Sequence, residues 1–145
     1  MRRPILAQTV LALAGLVLLC LAGTARAQGA GDRAAIEAVI SDQMAAFGRD
    51  DGEAAFSFAT PELRGMFGDA GRFMTMVRQG YQPVYRPRSV TFGELTEQDG
   101  QTVQEVGVIG PDGAPRVAVY TMERQPDGSW RIAGCRLVER PNAGS

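Results

Sequence analysis

The chain has 145 residues with fifteen Arg, no Lys, sixteen Asp or Glu and no His. Without imidazole, a histidine zinc site and a Ser-His nucleophile are excluded. An acidic balance with no basic run argues against nucleic acid or an anionic membrane as the main partner.

The first segment, "MRRPILAQTVLALAGLVLLCLAGTARAQ", has Arg2 and Arg3 ahead of an apolar run from Val10 to Ala22, then Ala25-Arg26-Ala27. A basic start, a short apolar core and an A-x-A end predict a secretory signal, residues 1–27, cleaved after Ala27. The run is shorter than the roughly 20 apolar residues of a spanning helix, which disfavours a retained anchor. Leu18 and Leu19 are too bulky beside Cys20 for a lipid-attachment site. The expected product, residues 28–145, is one periplasmic or secreted domain of α+β type, without stable membrane insertion after cleavage. Loss of Arg2, Arg3 and Arg26 leaves 15 − 3 = 12 basic against 16 acidic residues, a net charge of −4. Cys20 leaves with the signal, so Cys135 has no intramolecular partner; within "WRIAGCRLV" it reads as a small buried hydrophobe.

The first half of the remaining chain has helical periodicity. Ile36, Val39, Ile40, Met44 and Phe47 form one apolar stripe, with Asp32 upstream as an N-cap. Asp51 opens a second segment that includes Phe56, and Thr60-Pro61 a third running through Leu63 and Phe67. Asp69 caps a helix carrying Phe73, Met76 and Val77, which Gly80 ends. The next stretch, "GYQPVYRPRSVTF", holds prolines at 83 and 87 that argue against further helix.

From there the period falls toward two. Asp99-Gly100, Asp112-Gly113 and Asp127-Gly128 predict three hairpin turns joining strands near 89–96, 102–109, 115–124 and 129–138. "VAVYTM" is apolar on both faces and is placed inside the sheet. Ile132 falls out of phase with Cys135 and Leu137, which a bulge at Gly134 would correct. The expected architecture is α+β, with N-terminal helices on one face of a curved four-stranded antiparallel meander. The blocks "FMTMVRQGYQPVYRPRSVTF" and "YTMERQPDGSWRIAGCRLV" resemble those of a small exported bacterial family of unknown function. The resemblance spans about Ile36 to Leu137 and implies a cystatin-like, nuclear-transport-factor-like cone of helices on a bent sheet. It implies no catalytic residues.

Strand alternation places Arg86 and Arg88 on the side of Val90 and Phe92, facing the helices, with Tyr85 and Pro87 opposite. Arginines cannot be buried there unpaired. They either line an open cleft mouth that meets an anionic or amphiphilic ligand, turn outward at a bulge at Pro87, or pair with carboxylates such as Glu94 or Glu123. The candidate ligand-binding set is Tyr81, Tyr85, Arg86 and Arg88. Tyr120, Trp130 and the methionines Met66, Met74, Met76 and Met122 suit either a core or an adaptable pocket.

The function expected is non-catalytic binding of a small molecule, with no metal and no organic cofactor. An envelope protein-interaction module, or a homodimer through an apolar outer sheet face, is the alternative. Proton transfer by a buried Asp42 or Glu105 is a second alternative. No paired-carboxylate spacing, phosphate-binding glycine loop or nucleophile elbow is present.

Overall fold

The computed structural model describes residues 24–140. The leader expected over residues 1–27 therefore lies, up to residue 23, outside the described residues. The first helix, α1, runs Thr24–Gly48, so the expected cleavage point after Ala27 falls within its first turn. Ile36, Ile40, Met44 and Phe47 are buried along one side, with Val39 partly so. Asp32 is not a cap: the helix already begins at Thr24, eight residues upstream. Its carboxylate instead accepts from the Arg124 guanidinium at 2.6 Å and from Trp130 Nε1 at 3.4 Å.

Three short helices follow, each opened by the cap residue the sequence indicates. In α2 (Gly52–Ser57) Asp51 Oδ1 accepts from the Ala54 amide at 3.1 Å. In α3 (Pro61–Phe67) Thr60 Oγ1 accepts from the Leu63 amide at 3.2 Å. In α4 (Ala70–Gly80) Asp69 Oδ1 accepts from the Arg72 amide at 2.8 Å. Each bond satisfies one of the amides that a helix start leaves without an intrahelical partner. One more helical turn, α5 (Gln82–Tyr85), occupies the stretch whose prolines argued against helix. Pro83 sits in its first turn, where a missing N–H breaks no bond. This turn packs closely on the sheet: a Cβ at Gly110 would lie 2.8 Å from Pro83 Cα. Only glycine admits that approach.

The sheet has four strands, β1 (Ser89–Gln98), β2 (Gln101–Ile109), β3 (Pro115–Arg124) and β4 (Trp130–Glu139), in the order β1-β2-β3-β4 with every pair antiparallel. Asp99 and Gly100 have φ of 52° and 77°, the left-handed pair of a two-residue hairpin. β3 is an inner strand, as its apolar sequence indicates. Two irregularities bend the sheet. In β1, Gly93 and Glu94 together oppose Glu105. In β4, Thr121 pairs with Gly134 but Met122 with Ile132, so the extra residue is Ala133, one position from the expected bulge. The result is a curved, open sheet with the helices packed against it.

Only one face of the sheet carries the main core. Val106, Val108, Ala118, Tyr120, Met122 and Ile132 pack there against Ile36, Ile40 and Phe47 of α1 and Phe73, Met74 and Val77 of α4. The start of α3 is fastened to the edge of β4: the Thr60 amide donates to Ile132 O at 2.9 Å and the Ile132 amide to Phe58 O at 2.8 Å.

Candidate functional site

The helical layer does not close completely on the bent sheet. Between them lies a cavity of about 330 Å³, walled by Phe47 of α1, Leu63 and Phe67 of α3, and Phe73, Met76 and Val77 of α4. Val84 of α5 and Ile132 of β4 complete its apolar surface. The polar side chains on the wall are Gln43, Tyr81, Tyr120 and Cys135. No charged side chain lines it among the described residues. The irregular step in β4 sets this geometry, since it returns Cys135 to the inner face beside Tyr120, its direct partner across the strands.

The polar groups are mostly committed to the protein. Gln43 Nε2 donates to Ala55 O at 3.1 Å, joining α1 to α2. The Tyr81 hydroxyl donates to Cys135 O at 2.9 Å, joining the end of α4 to β4. Tyr120 differs: the residue is 1% exposed and its hydroxyl has no hydrogen-bond partner among the described residues. The Cys135 thiol is its near polar neighbour and a weak sulfur acceptor: the contact helps to raise the phenol and to lower the thiol, but falls short of full hydrogen-bond geometry. Burial, foremost, pushes the Tyr81 and Tyr120 phenols above their ordinary range and the Cys135 thiol up to about 12. All three are neutral at physiological pH, and this corner disfavours charge.

The four residues singled out from sequence separate. Tyr81 is on the cavity wall. Tyr85 and Arg86 stand outside it, around Asp50. The Tyr85 hydroxyl donates to Asp50 Oδ1, and Arg86 reaches Asp50 Oδ2 at 3.0 Å and Phe47 O at 2.5 Å. The Arg86 guanidinium also lies 4.0 Å over the Tyr85 ring, and Arg78 is 3.6 Å from Asp50. Asp50 adopts a left-handed φ of 56° at the turn after α1, which aims its carboxylate at this cluster. The Tyr85 hydroxyl first, then Arg86 and Arg78, hold it below the ordinary 3.8.

Arg88 is exposed, and its amide donates to Ile109 O at 2.7 Å. Neither arginine lines the space between helices and sheet: Arg86 is held at the C-terminal end of α1 and Arg88 points to solvent, because β1 begins only at Ser89 and the α5 turn interrupts the alternation. Val90 is itself 39% exposed. Arg86→Ala is therefore expected to lower the thermal midpoint by about a few degrees, through loss of its charge-assisted bonds to Phe47 O and Asp50. Arg88→Ala should leave it within about one degree. Equal shifts in a calorimetric comparison would refute the difference.

Asp42 is exposed on α1, and Glu105 is half-buried on the sheet face opposite Gln104 and Val106. Neither borders the cavity. Of the methionines, Met76 lines it, Met74 and Met122 are core, and Met66 is 81% exposed. Trp130 is half-buried against Asp32 and Arg124. Gln43, Leu63 and Val84 carry no sequence signal for a site; only the packing of distant segments brings them together. Among the described residues no cluster of three His, Cys, Asp or Glu assembles, and no helix is long and apolar enough to cross a membrane.

Residues 30–145 match the family described as Domain of unknown function (DUF4864), and the chain belongs to that family. No curated protein and no solved structure matches the chain. The two sequence blocks thus belong to a family of unknown function, as expected, while the likeness to a cystatin-like or nuclear-transport-factor-like cone is not confirmed.

Proposed function

We propose that this is an exported, non-catalytic binding protein that holds one small, largely apolar molecule in the cavity between its helices and sheet. The observation that carries the reading is a space of about 330 Å³ with apolar walls and one fully buried hydroxyl left unpaired. Interiors are normally packed to crystal density, so a gap of that size under an aromatic cluster needs a reason. Its volume falls at the small end of ligand sites, and an apolar wall with a few convergent polar groups is their usual chemistry. On this reading Tyr81 belongs to the ligand wall. Tyr85 and Arg86 brace the junction of α1 and α5 that closes it, and Arg88 is a surface residue. Export rests on the leader-like residues 1–27.

A protein-interaction surface has less support. The large apolar side chains exposed among the described residues are Met66, Val90 and Val138, on three separate elements, whereas Val103 and Val119 of the outer sheet face are buried. Scattered exposure of this kind does not form a patch. Native mass spectrometry of the protein recovered from its own cells tests the choice. A small added mass that is lost on denaturation is expected; a bare monomer would refute the binding reading, and a dimer without added mass would favour self-association.

A further inference from the structure

We propose that the ligand of this cavity is uncharged and presents one hydrogen-bond-accepting oxygen, such as a carbonyl or ether, to the Tyr120 hydroxyl. The inference rests on the binding reading above and adds the chemical class of the ligand. Three observations lead to it.

The first is the inventory of donors. Tyr81 gives its proton to Cys135 O, and the Gln43 amide donates to Ala55 O. Tyr120 lies in the same wall, and of the wall's hydroxyl groups its O–H is the one left without a full hydrogen bond. A buried hydroxyl with no partner is costly, so this position is stabilised by any molecule that brings an acceptor to it.

The second is position. Tyr120 is on β3, paired with Gln104 of β2 and Cys135 of β4, so it rises from the middle of the sheet rather than from a mobile edge. Its hydroxyl lies close to Tyr81 and Cys135, both wall residues. A bound oxygen here would be the buried end of the ligand, with the apolar remainder directed toward Leu63, Phe67 and Met76.

The third is charge. A carboxylate or ammonium group entering the cavity would lose its hydration and meet no counterion on the wall. Arg86 is not part of the wall and is bonded to Phe47 O and to Asp50, so it is committed elsewhere than to an anion inside. The upward displacement of the Tyr81, Tyr120 and Cys135 titrations reports the same aversion to charge from within.

The test uses the full-length protein with 2-heptanone, heptane and heptanoate as probes, binding read by ligand-detected NMR and the ketone carbonyl stretch by difference infrared spectroscopy. 2-Heptanone should bind, with its stretch shifted to lower frequency than in hexane, and heptanoate should bind at least about tenfold more weakly at neutral pH. Tyr120→Phe should abolish the infrared shift and weaken the ketone about tenfold, with heptane as the control for cavity integrity. If the phenylalanine variant does not fold, the wild-type infrared shift and the ketone-to-carboxylate ratio decide alone. A bound ketone whose stretch matches hexane, or a shift that survives in the phenylalanine variant, overturns the Tyr120 assignment and leaves the cavity reading standing. Tightest binding of heptanoate overturns the uncharged class. Failure of all three probes to bind overturns the inference and the binding reading together.

Discussion

Phe73→Ala is expected to destabilise the protein by about 3–5 kcal/mol, a large part of the total stability of a domain this size. Phe73 is 5% exposed on α4, and its ring lies 5.3 Å from Phe56, 5.5 Å from Phe67 and 6.1 Å from Phe47. It therefore ties α1, α2 and α3 to α4 through one side chain. Truncation removes the transfer energy of a phenyl ring and its aromatic pairings. It also merges the vacated volume with the cavity that Phe73 already lines. Phe47 and Phe67 wall the same space and cannot both collapse inward without opening it elsewhere, so little of the loss is recovered by relaxation. The exposed Met66 makes the paired control, because Met66→Ala removes almost no buried area and should change stability by less than about 0.5 kcal/mol. Urea unfolding of the two variants measures the difference. A loss below about 1 kcal/mol for Phe73→Ala would mean that the helical layer is not held through this cluster.

Local chemistry made the element boundaries legible in the sequence. Asp51, Thr60 and Asp69 cap the helices they precede, and the three Asp-Gly pairs turn the chain where they stand, because a short side chain bonding its neighbouring amide or a glycine at positive φ acts within a few residues. Asp32 has the same local chemistry and a different fate. It is claimed by Arg124 and Trp130, which arrive from the hairpin between β3 and β4, and no local rule anticipates a partner so distant. The α5 turn was hidden for the opposite reason, since proline is a helix breaker in the interior and a helix starter at the first turn.

The site was the least legible part. Strand alternation drew attention to Arg86 and Arg88, yet one turn of helix before β1 changes the side each residue faces, and Arg86 finds its carboxylate at Asp50, a residue that carries no pattern of its own. Tyr81 was visible as an aromatic residue after a helix. Tyr120 was visible only as a tyrosine in an inner strand, where a satisfied hydroxyl is the ordinary outcome. What distinguishes it is the lack of a partner, a property of the assembled interior. A cavity is similarly invisible in one dimension, because it is defined by what α1, α3, α4 and β4 fail to fill.

If that unfilled space is the site, then occupying it from within must abolish capture without harming the fold, and Leu63→Trp is expected to do so. Leu63 lines the cavity from α3, a seven-residue helix with no buried residue, fastened at Thr60 and released at Gly68, whose φ is 85°. An indole grafted at this position has adjoining space of about 330 Å³ to enter, and α3 has freedom to adjust, so overpacking strain is small. Added apolar contact should hold stability constant or raise it by about 1 kcal/mol. Any molecule seated between Phe67, Met76 and Tyr120 would meet the indole, and its affinity should fall at least about tenfold, the discrimination a hydrophobic site gains from steric exclusion. A loss of bound mass with an unchanged or higher thermal midpoint places the ligand inside the cavity. Undiminished capture by the tryptophan variant would place it elsewhere on the protein, and the unpaired hydroxyl of Tyr120 would then have no part in recognition.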